Sequence, residues 1–409
     1  MGGGGASGVR RRILVVGAGP VGLSAALALR ARGLPVTLLE AEPADRVRPG
    51  SRAIFTHRAS LETLDRARPG LGRELARQGL AWQTKRTFWR DREVYSRTYP
   101  SLDPEAIPPF TSLPQVRVEE YLLAACAAAG VECVWDAAVT GVETSAEGAV
   151  VTVSGGRVWE AEYVIGADGS RSAVREAIGT PLEGSRSANS FVIVDAAEDP
   201  DAPLPKERIF CYEHPGVGGR HVLFVPFSGG WRIDLQCRED DDPEDFSGEE
   251  GVRRWLPRVM DEKYADRVTW VSTYQFLQVI AETFTDAHRR VLLVGEAAHL
   301  FAPFGARGMN SGIADADAAA ETIETALDAD DPGTARRAVE EYSRSRRSAA
   351  EYNRDAAGQA LAHMQAKDPA LRVKRRLAAL VAPYSRRAGK WLDTAPYGPR
   401  SGVSRASKY

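Results

Sequence analysis

Cysteine is scarce: the chain has four in 409 residues (Cys126, Cys133, Cys211 and Cys237), none in a CxxC pair. That excludes a disulfide scaffold, and free thiols in a reducing compartment are the plain reading. No CxxxxC follows the first helix either, which counts against a disulfide reductase. No apolar run approaches the roughly 18 residues of a membrane span, and the opening MGGGGASGVRRR has no apolar signal core. That opening reads as a flexible tail, the cytoplasm is the expected location, and no membrane partner is expected. Charge of one sign is also missing, since 53 basic and 55 acidic residues leave a net −2. This balance argues against a nucleic-acid partner. Basic residues do crowd into LRVKRRLAALVAPYSRRAGK, 371–390, which reads as a solvated helix face. No metal site is expected.

The chain is 44% apolar and 26% charged, enough to bury a sizeable core in two or three units. The first is legible at once. RILVV (12–16) is a short apolar strand that ends in Gly17-Ala18-Gly19-Pro20-Val21-Gly22. An Ala/Leu-rich helix over 23–32 follows, closed by Gly33, and then the strand PVTLLE (35–40). Strand, glycine turn, helix and strand in about 30 residues form the βαβ unit of a dinucleotide site. Gly17 permits the tight turn, Gly19 lets a pyrophosphate approach the backbone, and Gly22 lets the helix pack closely. The helix N-terminus offers free amides and partial positive charge to phosphates. Glu40 stands where a carboxylate accepts hydrogen bonds from a ribose, which points to FAD or NAD and disfavours the 2′-phosphate of NADP.

Further along, 115–128 reads as an amphipathic helix, and 131–135 and 149–153 as strands. The segment EYVIGADGSRSAVREAI (162–178) reads as strand, Asp-Gly turn and helix. From 190 to 283 alternating strands dominate (191–196, 208–213, 221–226, 231–238), with a helix near 252–264. The α/β pattern resumes with RVLLV (290–294), and a helix is expected over 311–327. The rest is mainly helical and ends in a Pro/Gly/Ser-rich tail. The expected fold is α/β: a Rossmann-like nucleotide domain (9–72, 100–184 and 285–345), an inserted mostly β substrate domain (73–99 and 185–284), and a helical C-terminal segment (346–409).

Three motifs stand in order: GAGPVG with Glu40, GADGSRSAVR (166–175) and GEAAHLFAPFGARGMNSG (295–312). Together they resemble the two-domain aromatic hydroxylases of the flavoprotein monooxygenase group typified by p-hydroxybenzoate hydroxylase. The resemblance implies bound FAD, NADPH or NADH as a transient co-substrate, and O2. It implies oxygen transfer from a flavin C4a-hydroperoxide to an aromatic or polyketide-like small molecule, in a monomer or homodimer. It carries Gly17, Gly19, Pro20, Gly22 and Glu40 onto the pyrophosphate loop and ribose. Arg52, Gln115, Val139 and Asp168 follow as further FAD contacts, and Pro303 to Asn310, with Gly308, Met309 and Asn310, pass under the isoalloxazine ring. Glu296 stands where the group usually has aspartate, one methylene shorter. Asp168 also reads as an ordinary helix cap, His299 as a packed histidine, and Arg307 as an added positive charge or a solvent-facing one.

Departures fall in the substrate region. Where p-hydroxybenzoate hydroxylase has the serine and arginine that clamp a carboxylate, this chain has Tyr212 and His214, and its assisting tyrosine falls at Val222. Arg220 matches an arginine near the nicotinamide path. The resemblance therefore implies a larger, less anionic substrate, with Phe224, Trp231, Tyr274 and Phe276 as aromatic candidates. Other readings are a different flavin reaction on this scaffold, such as N-hydroxylation or reduction, and a non-catalytic flavin-binding partner protein.

Overall fold

The computed structural model describes residues 13–100, 103 and 106–399, so the tail expected at the start and the last residues of the chain lie outside them. Strands and helices are numbered along the chain. Five strands form a parallel sheet in the order β17-β11-β1-β2-β7. They are β1 (Ile13–Val16), β2 (Val36–Leu39), β7 (Glu132–Val134), β11 (Tyr163–Gly166) and β17 (Val291–Leu293). All four residues of β1 are buried, as expected of a parallel strand covered on both faces. The cover comes from α1 (Pro20–Ala31), α4 (Gln115–Ala128) and α8 (Arg307–Leu327). The small residues of α1 let it lie close: a Cβ on Gly22 would stand 1.9 Å from the Gly17 carbonyl oxygen.

An antiparallel flap of β8 (Val139–Thr144), β9 (Ala149–Val153) and β10 (Val158–Ala161) precedes β11. A short ladder pairs β3 (Phe55–His57) with β6 (Phe110–Ser112), beside α2 (Arg58–Ala67) and α3 (Leu71–Gln78). After β11 comes α5 (Ala173–Ala177).

The large sheet has eight strands in the order β18-β16-β12-β15-β14-β13-β4-β5. They are β4 (Thr84–Trp89), β5 (Arg92–Thr98), β12 (Leu182–Ala197), β13 (Glu207–His214), β14 (Arg220–Phe227), β15 (Gly230–Gln236), β16 (Val268–Ala281) and β18 (His299–Leu300). Every pair is antiparallel except β4 with β13. Side chains alternate across such a sheet, so its faces differ. One face carries Val192, Val194, Cys211, Val222, Phe224, Trp231, Ile233 and Leu235, packed into a separate core with Val252, Trp255, Leu256 and Tyr264. Part of that cover is α6 (Glu244–Ser247) and α7 (Glu249–Trp255). The helix expected over 252–264 stops at Trp255, and 3-10 turns at Leu256–Arg258 and Glu262–Arg267 replace its remainder. Pro257 cannot donate the backbone bond an α-helix needs there.

The opposite face looks toward the nucleotide domain and the C-terminal helices α9 (Pro332–Gln365), α10 (Pro369–Val381) and α11 (Arg386–Thr394). Asp331 caps α9 by accepting from the Thr334 amide at 2.9 Å. This helix of 34 residues ties the parts together. Its Tyr342 hydroxyl donates to the Leu293 carbonyl (2.8 Å), and its His363 reaches Tyr212 on β13 (2.9 Å). No helix among the described residues is long and apolar enough to cross a membrane.

Candidate active site

The β1–α1 turn is built as its glycines require. Gly17 has φ 102°, and a Cβ there would lie 2.5 Å from the Ala167 carbonyl oxygen. Gly19 is different: the nearest atom to its missing Cβ is Nη1 of Arg48 at 4.0 Å, so its backbone is left open. Gly19 is the N-cap of α1, no side chain caps the helix, and Pro20 occupies the first turn. Open amides at a helix N-terminus suit a phosphate. Glu40 is 5% exposed; its carboxylate accepts from the amides of Ala18 (2.5 Å) and Glu42 (3.0 Å).

Two arginines beside this loop were not expected from sequence. Arg46 donates to the Ala18 carbonyl at 2.8 Å. Arg48 pairs with Glu42 (2.7 Å) and Glu119 (2.9 Å) and lies 3.9 Å from Glu40. The signal was Arg-Val-Arg at 46–48, directly after the second strand, in a loop with no other periodicity.

Beyond the loop lies a deep cleft. Tyr274 is 39% exposed, yet the surrounding protein pushes its hydroxyl up to about 12, with Glu296 adding to the effect. Glu296 is likewise exposed by area, while burial raises its carboxyl, opposed by His299 and Arg52. Side chains that are both exposed and deeply surrounded mark a concavity. Arg52 sits at φ 52°, and its carbonyl accepts from Arg232. Phe304, on the loop before α8, meets Phe276 (5.6 Å) and Phe191 (5.8 Å) of the large sheet, edge to face. Pro303 is exposed on the same loop.

The helix α8 begins at Arg307, earlier than the sequence suggested, after Ala306 at φ 54° and with no side-chain cap. Nothing lies within 4 Å of a Cβ built on Gly308. Arg307 is 1% exposed. It neither faces solvent nor points freely into the cleft: it donates to Asn353 (2.9 Å) and to the carbonyls of Tyr397 (3.2 Å) and Pro399. Asn310 is also committed, accepting from the His57 amide (2.8 Å) and Ser60 (2.7 Å) and donating to Phe55 and Ala306. The side chain of Met309 is partly buried against the main core.

The remaining expected residues are placed as follows. Asp168 abuts Gly17, but its oxygens accept from Ser172 (2.5 Å) and the Val174 amide (3.1 Å), a local cap at α5. Gln115 opens α4, accepts from the Ala53 amide (3.4 Å) and donates to Glu119 (2.8 Å). Val139 starts β8 at the edge of the main core. His299 is packed, as expected: its Nε2 lies 2.6 Å from Asp315, its ring stacks on Phe301, and its Nδ1 has no partner.

Asp315 was missed. It takes Arg346 at 2.7 Å and the Gly295 amide at 3.1 Å, and Arg346 and His299 hold its carboxyl down at about 2 against the cost of burial. It lies on α8 and joins residues 16 to 31 positions away, which no local pattern records.

The substrate-side expectations separate by sheet face. Val222, Phe224 and Trp231 belong to the far core and do not face the cleft, so Val222 does not stand where an assisting tyrosine could reach a ligand there. Tyr274 is exposed toward the cleft, while Phe276 is fully buried behind it, against Tyr274 and Phe304. Tyr212 is fully buried; its hydroxyl accepts from His363 and donates to the Leu392 carbonyl (2.7 Å), so no part of it is free for a ligand. His214 accepts from the Gly216 amide (3.2 Å) in a turn. Arg220 pairs with Asp241 and lines a groove of about 380 Å³ with Arg238, Arg372 and Arg375. These three do not converge on one point of the cleft. The sheet does set Lys85 and Arg208 side by side on the cleft-side face, a pair the sequence reading did not single out.

The FAD binding domain family matches residues 10–357. The chain is 32% identical over 327 residues to 6-methylpretetramide 4-monooxygenase of Streptomyces rimosus, covering 75% of this chain and 54% of that protein. It is 29% identical over 320 residues to a 3-(3-hydroxy-phenyl)propionate/3-hydroxycinnamic acid hydroxylase of Mycobacterium avium, covering 74% and 53%. The chain thus spans about half the length of these relatives. Among solved structures, the OxyS anhydrotetracycline hydroxylase of Streptomyces rimosus superposes with TM-score 0.69 at 26% identity, over 94% of this chain and 76% of that one. The p-nitrophenol 4-monooxygenase of Pseudomonas putida gives TM-score 0.74 at 24% identity over 95% and 100%, a likeness of fold. The open backbone at Gly19 and Gly308, the uncapped starts of α1 and α8 and the Glu40 carboxylate all fit FAD, and the chain belongs to the FAD binding domain family.

Proposed function

We propose that the protein is a FAD-dependent monooxygenase that hydroxylates an aromatic or polyketide-like small molecule with O2 and NAD(P)H. The observation that carries this reading is the partly exposed Phe304 ring, backed by the buried Phe191 and Phe276 of the large sheet, with Glu296, Tyr274 and the uncapped start of α8. A partly exposed aromatic ring beside an FAD loop suits a planar substrate. The names of the tetracycline-type and phenylpropionate-type relatives support the same substrate class.

When bound, FAD would supply the two-electron chemistry that couples NAD(P)H oxidation to insertion of one O2 atom into the substrate, the other leaving as water. The chain's own residues do the rest. Gly19 and the first turn of α1 hold phosphate, and Glu40 takes a ribose hydroxyl. The amides at the start of α8 present partial positive charge to negative charge that develops nearby. Tyr274, titrating near 12, keeps its proton at Oη and can donate it in a hydrogen bond. His57, held down to about 4 by burial and then by Arg307, stays neutral at physiological pH. In this reading 9–72, 100–184 and 285–345 hold FAD, 73–99 and 185–284 hold the substrate, and the enzyme works in the cytoplasm as a monomer or homodimer.

With one GxGxxG unit in this sequence, the reading has NAD(P)H meet the flavin transiently. Reduction should then depend on substrate. A ligand that favours one of two arrangements by about 4 kcal/mol changes the rate about a thousandfold. Stopped-flow bleaching of the flavin band by NADPH and by NADH, with and without hydroxylated naphthoic acids, checks this. Acceleration of tenfold or more is expected; equal rates throughout would favour a reductase or oxidase.

A further inference from the structure

Lys85 on β4 and Arg208 on β13 are direct partners in the one parallel pair of the large sheet. Arg208 is 2% exposed, and its Nη1 is buried with no hydrogen-bond partner among the described residues. Its contacts are ring faces, Tyr397 at 4.2 Å and Phe210 at 5.9 Å. Lys85 stacks on the same Tyr397 ring at 4.6 Å and on Trp82 at 5.7 Å. Asp393 on α11 is 1% exposed, and neither of its oxygens has a hydrogen-bond partner among the described residues. The Tyr397 hydroxyl, Thr87 Oγ1 and Trp82 Nε1 are also buried without partners among the described residues.

Two cations and one carboxylate therefore sense one another without touching. Burial, then each other's charge, lowers Lys85 to about 8, and burial lowers Arg208 to about 10, while Asp393 works in the opposite direction on both. A buried guanidinium with an empty donor is costly, and buried polar groups are normally satisfied. The cluster adjoins the cleft, because the Tyr397 carbonyl accepts from Arg307 and stands 3.2 Å from the Cβ position of Gly305, on the loop that carries Phe304. Asp393 and Tyr397 lie beyond the residues matched by the family, 10–357.

We propose that Lys85 and Arg208 form an anion subsite that takes a pair of oxygens sharing one negative charge, with Tyr397 as the ring that yields to the ligand and Asp393 as acceptor for a neighbouring hydroxyl. Such a pair is a carboxylate or the enolate of a 1,3-dicarbonyl, and a guanidinium fork matches either one in two parallel bonds. On the proposed function above, this makes the substrate a planar ring system bearing an acidic oxygen pair next to a hydroxyl. It reverses the expectation of a weakly anionic substrate, which rested on Tyr212 and His214.

Calorimetric titration of the FAD-loaded protein at pH 7 tests it. The probes are 1-hydroxy-2-naphthoate for the carboxylate, 2-acetyl-1,3-indandione for the enolate, and 1-hydroxy-2-naphthamide as the neutral match. At least one anion should bind about 30-fold tighter than the amide, as expected for charge-assisted bonds; which anion does so identifies the source. Arg208→Met should reduce that preference to within about threefold, and it should leave the unfolding temperature of the ligand-free protein unchanged or higher, because an apolar side chain keeps the ring contacts and removes a buried charge with an unpaired donor. If that variant does not fold, Lys85→Met must lower the preference in the same direction. Equal binding of anions and amide by the parent protein, or a preference that survives both substitutions, overturns the proposal. These are binding measurements, so failure to hydroxylate would count against the proposed function and not against the subsite.

Discussion

Asp315 is a buried carboxylate that ties three separate parts of the site together. It holds His299, Arg346 and the Gly295 amide at once. Replacing it with asparagine leaves Arg346 buried with its charge uncompensated, and about 3–5 kcal/mol should be lost in chemical denaturation. Its carboxyl titrates near 2 in the fold against 3.8 in the open chain. The folded value is the lower one, so the stabilisation, on the order of 2 kcal/mol, is complete above about pH 4 and lost as pH falls through about 2. An acid unfolding midpoint that is the same for the parent and Asp315→Asn would contradict this. Gly19 makes the complementary point about space. A valine there projects over the uncovered N-terminus of α1, and Gly19→Val should purify with little or no FAD while keeping its far-UV circular dichroism; full occupancy would place the site elsewhere. Gly17, Gly19, Gly22 and Glu40 were legible in the sequence because their geometry is set within about 25 residues. Asp315, Arg208 and Asp393 were not, because their partners are brought by other elements.

Among the elements, the strands of the large sheet show where a correct assignment can still mislead. β13, β14 and β15 form within one or two residues of expectation, yet a shift of one residue exchanges the two faces. Val222 and Phe224 therefore fill the far core, while Phe210 and Leu223, paired across the ladder, share the face of Arg208. Val222→Ala should cost about 2 kcal/mol by leaving a cavity and leave ligand affinity unchanged. Lost affinity at unchanged stability would put Val222 back in the pocket. β12 was read as six residues and runs for 16, because its first half pairs with β16 and not with β15. The Gly-containing, polar sequence of that half carries no alternation to reveal it. The start of α8 was placed four residues late, since Arg307, Gly308 and Met309 have no apolar period and the cap is an alanine at positive φ.

At the scale of the molecule, the nucleotide domain was readable from its motifs, and the division into an α/β unit and a β unit from the change in strand pattern. The role of the last third was not readable. α9 links Leu293, Asp315, Arg307 and Tyr212, which lie on both units, and the segment after it delivers Asp393 and Tyr397 to the cleft side of the sheet. Its composition announced only helix and charge. In the proposed function, the FAD loop, the Phe304 and Tyr274 rings and the buried cations together hold an oxidisable ring against FAD away from water. The direct test is incubation of the FAD-loaded protein with NAD(P)H, 18O2 and anionic hydroxynaphthoates or acidic 1,3-diones, followed by mass spectrometry. The account predicts a product carrying one labelled oxygen atom per nicotinamide consumed; nicotinamide oxidation that yields only hydrogen peroxide, with no label in any of these compounds, would contradict it.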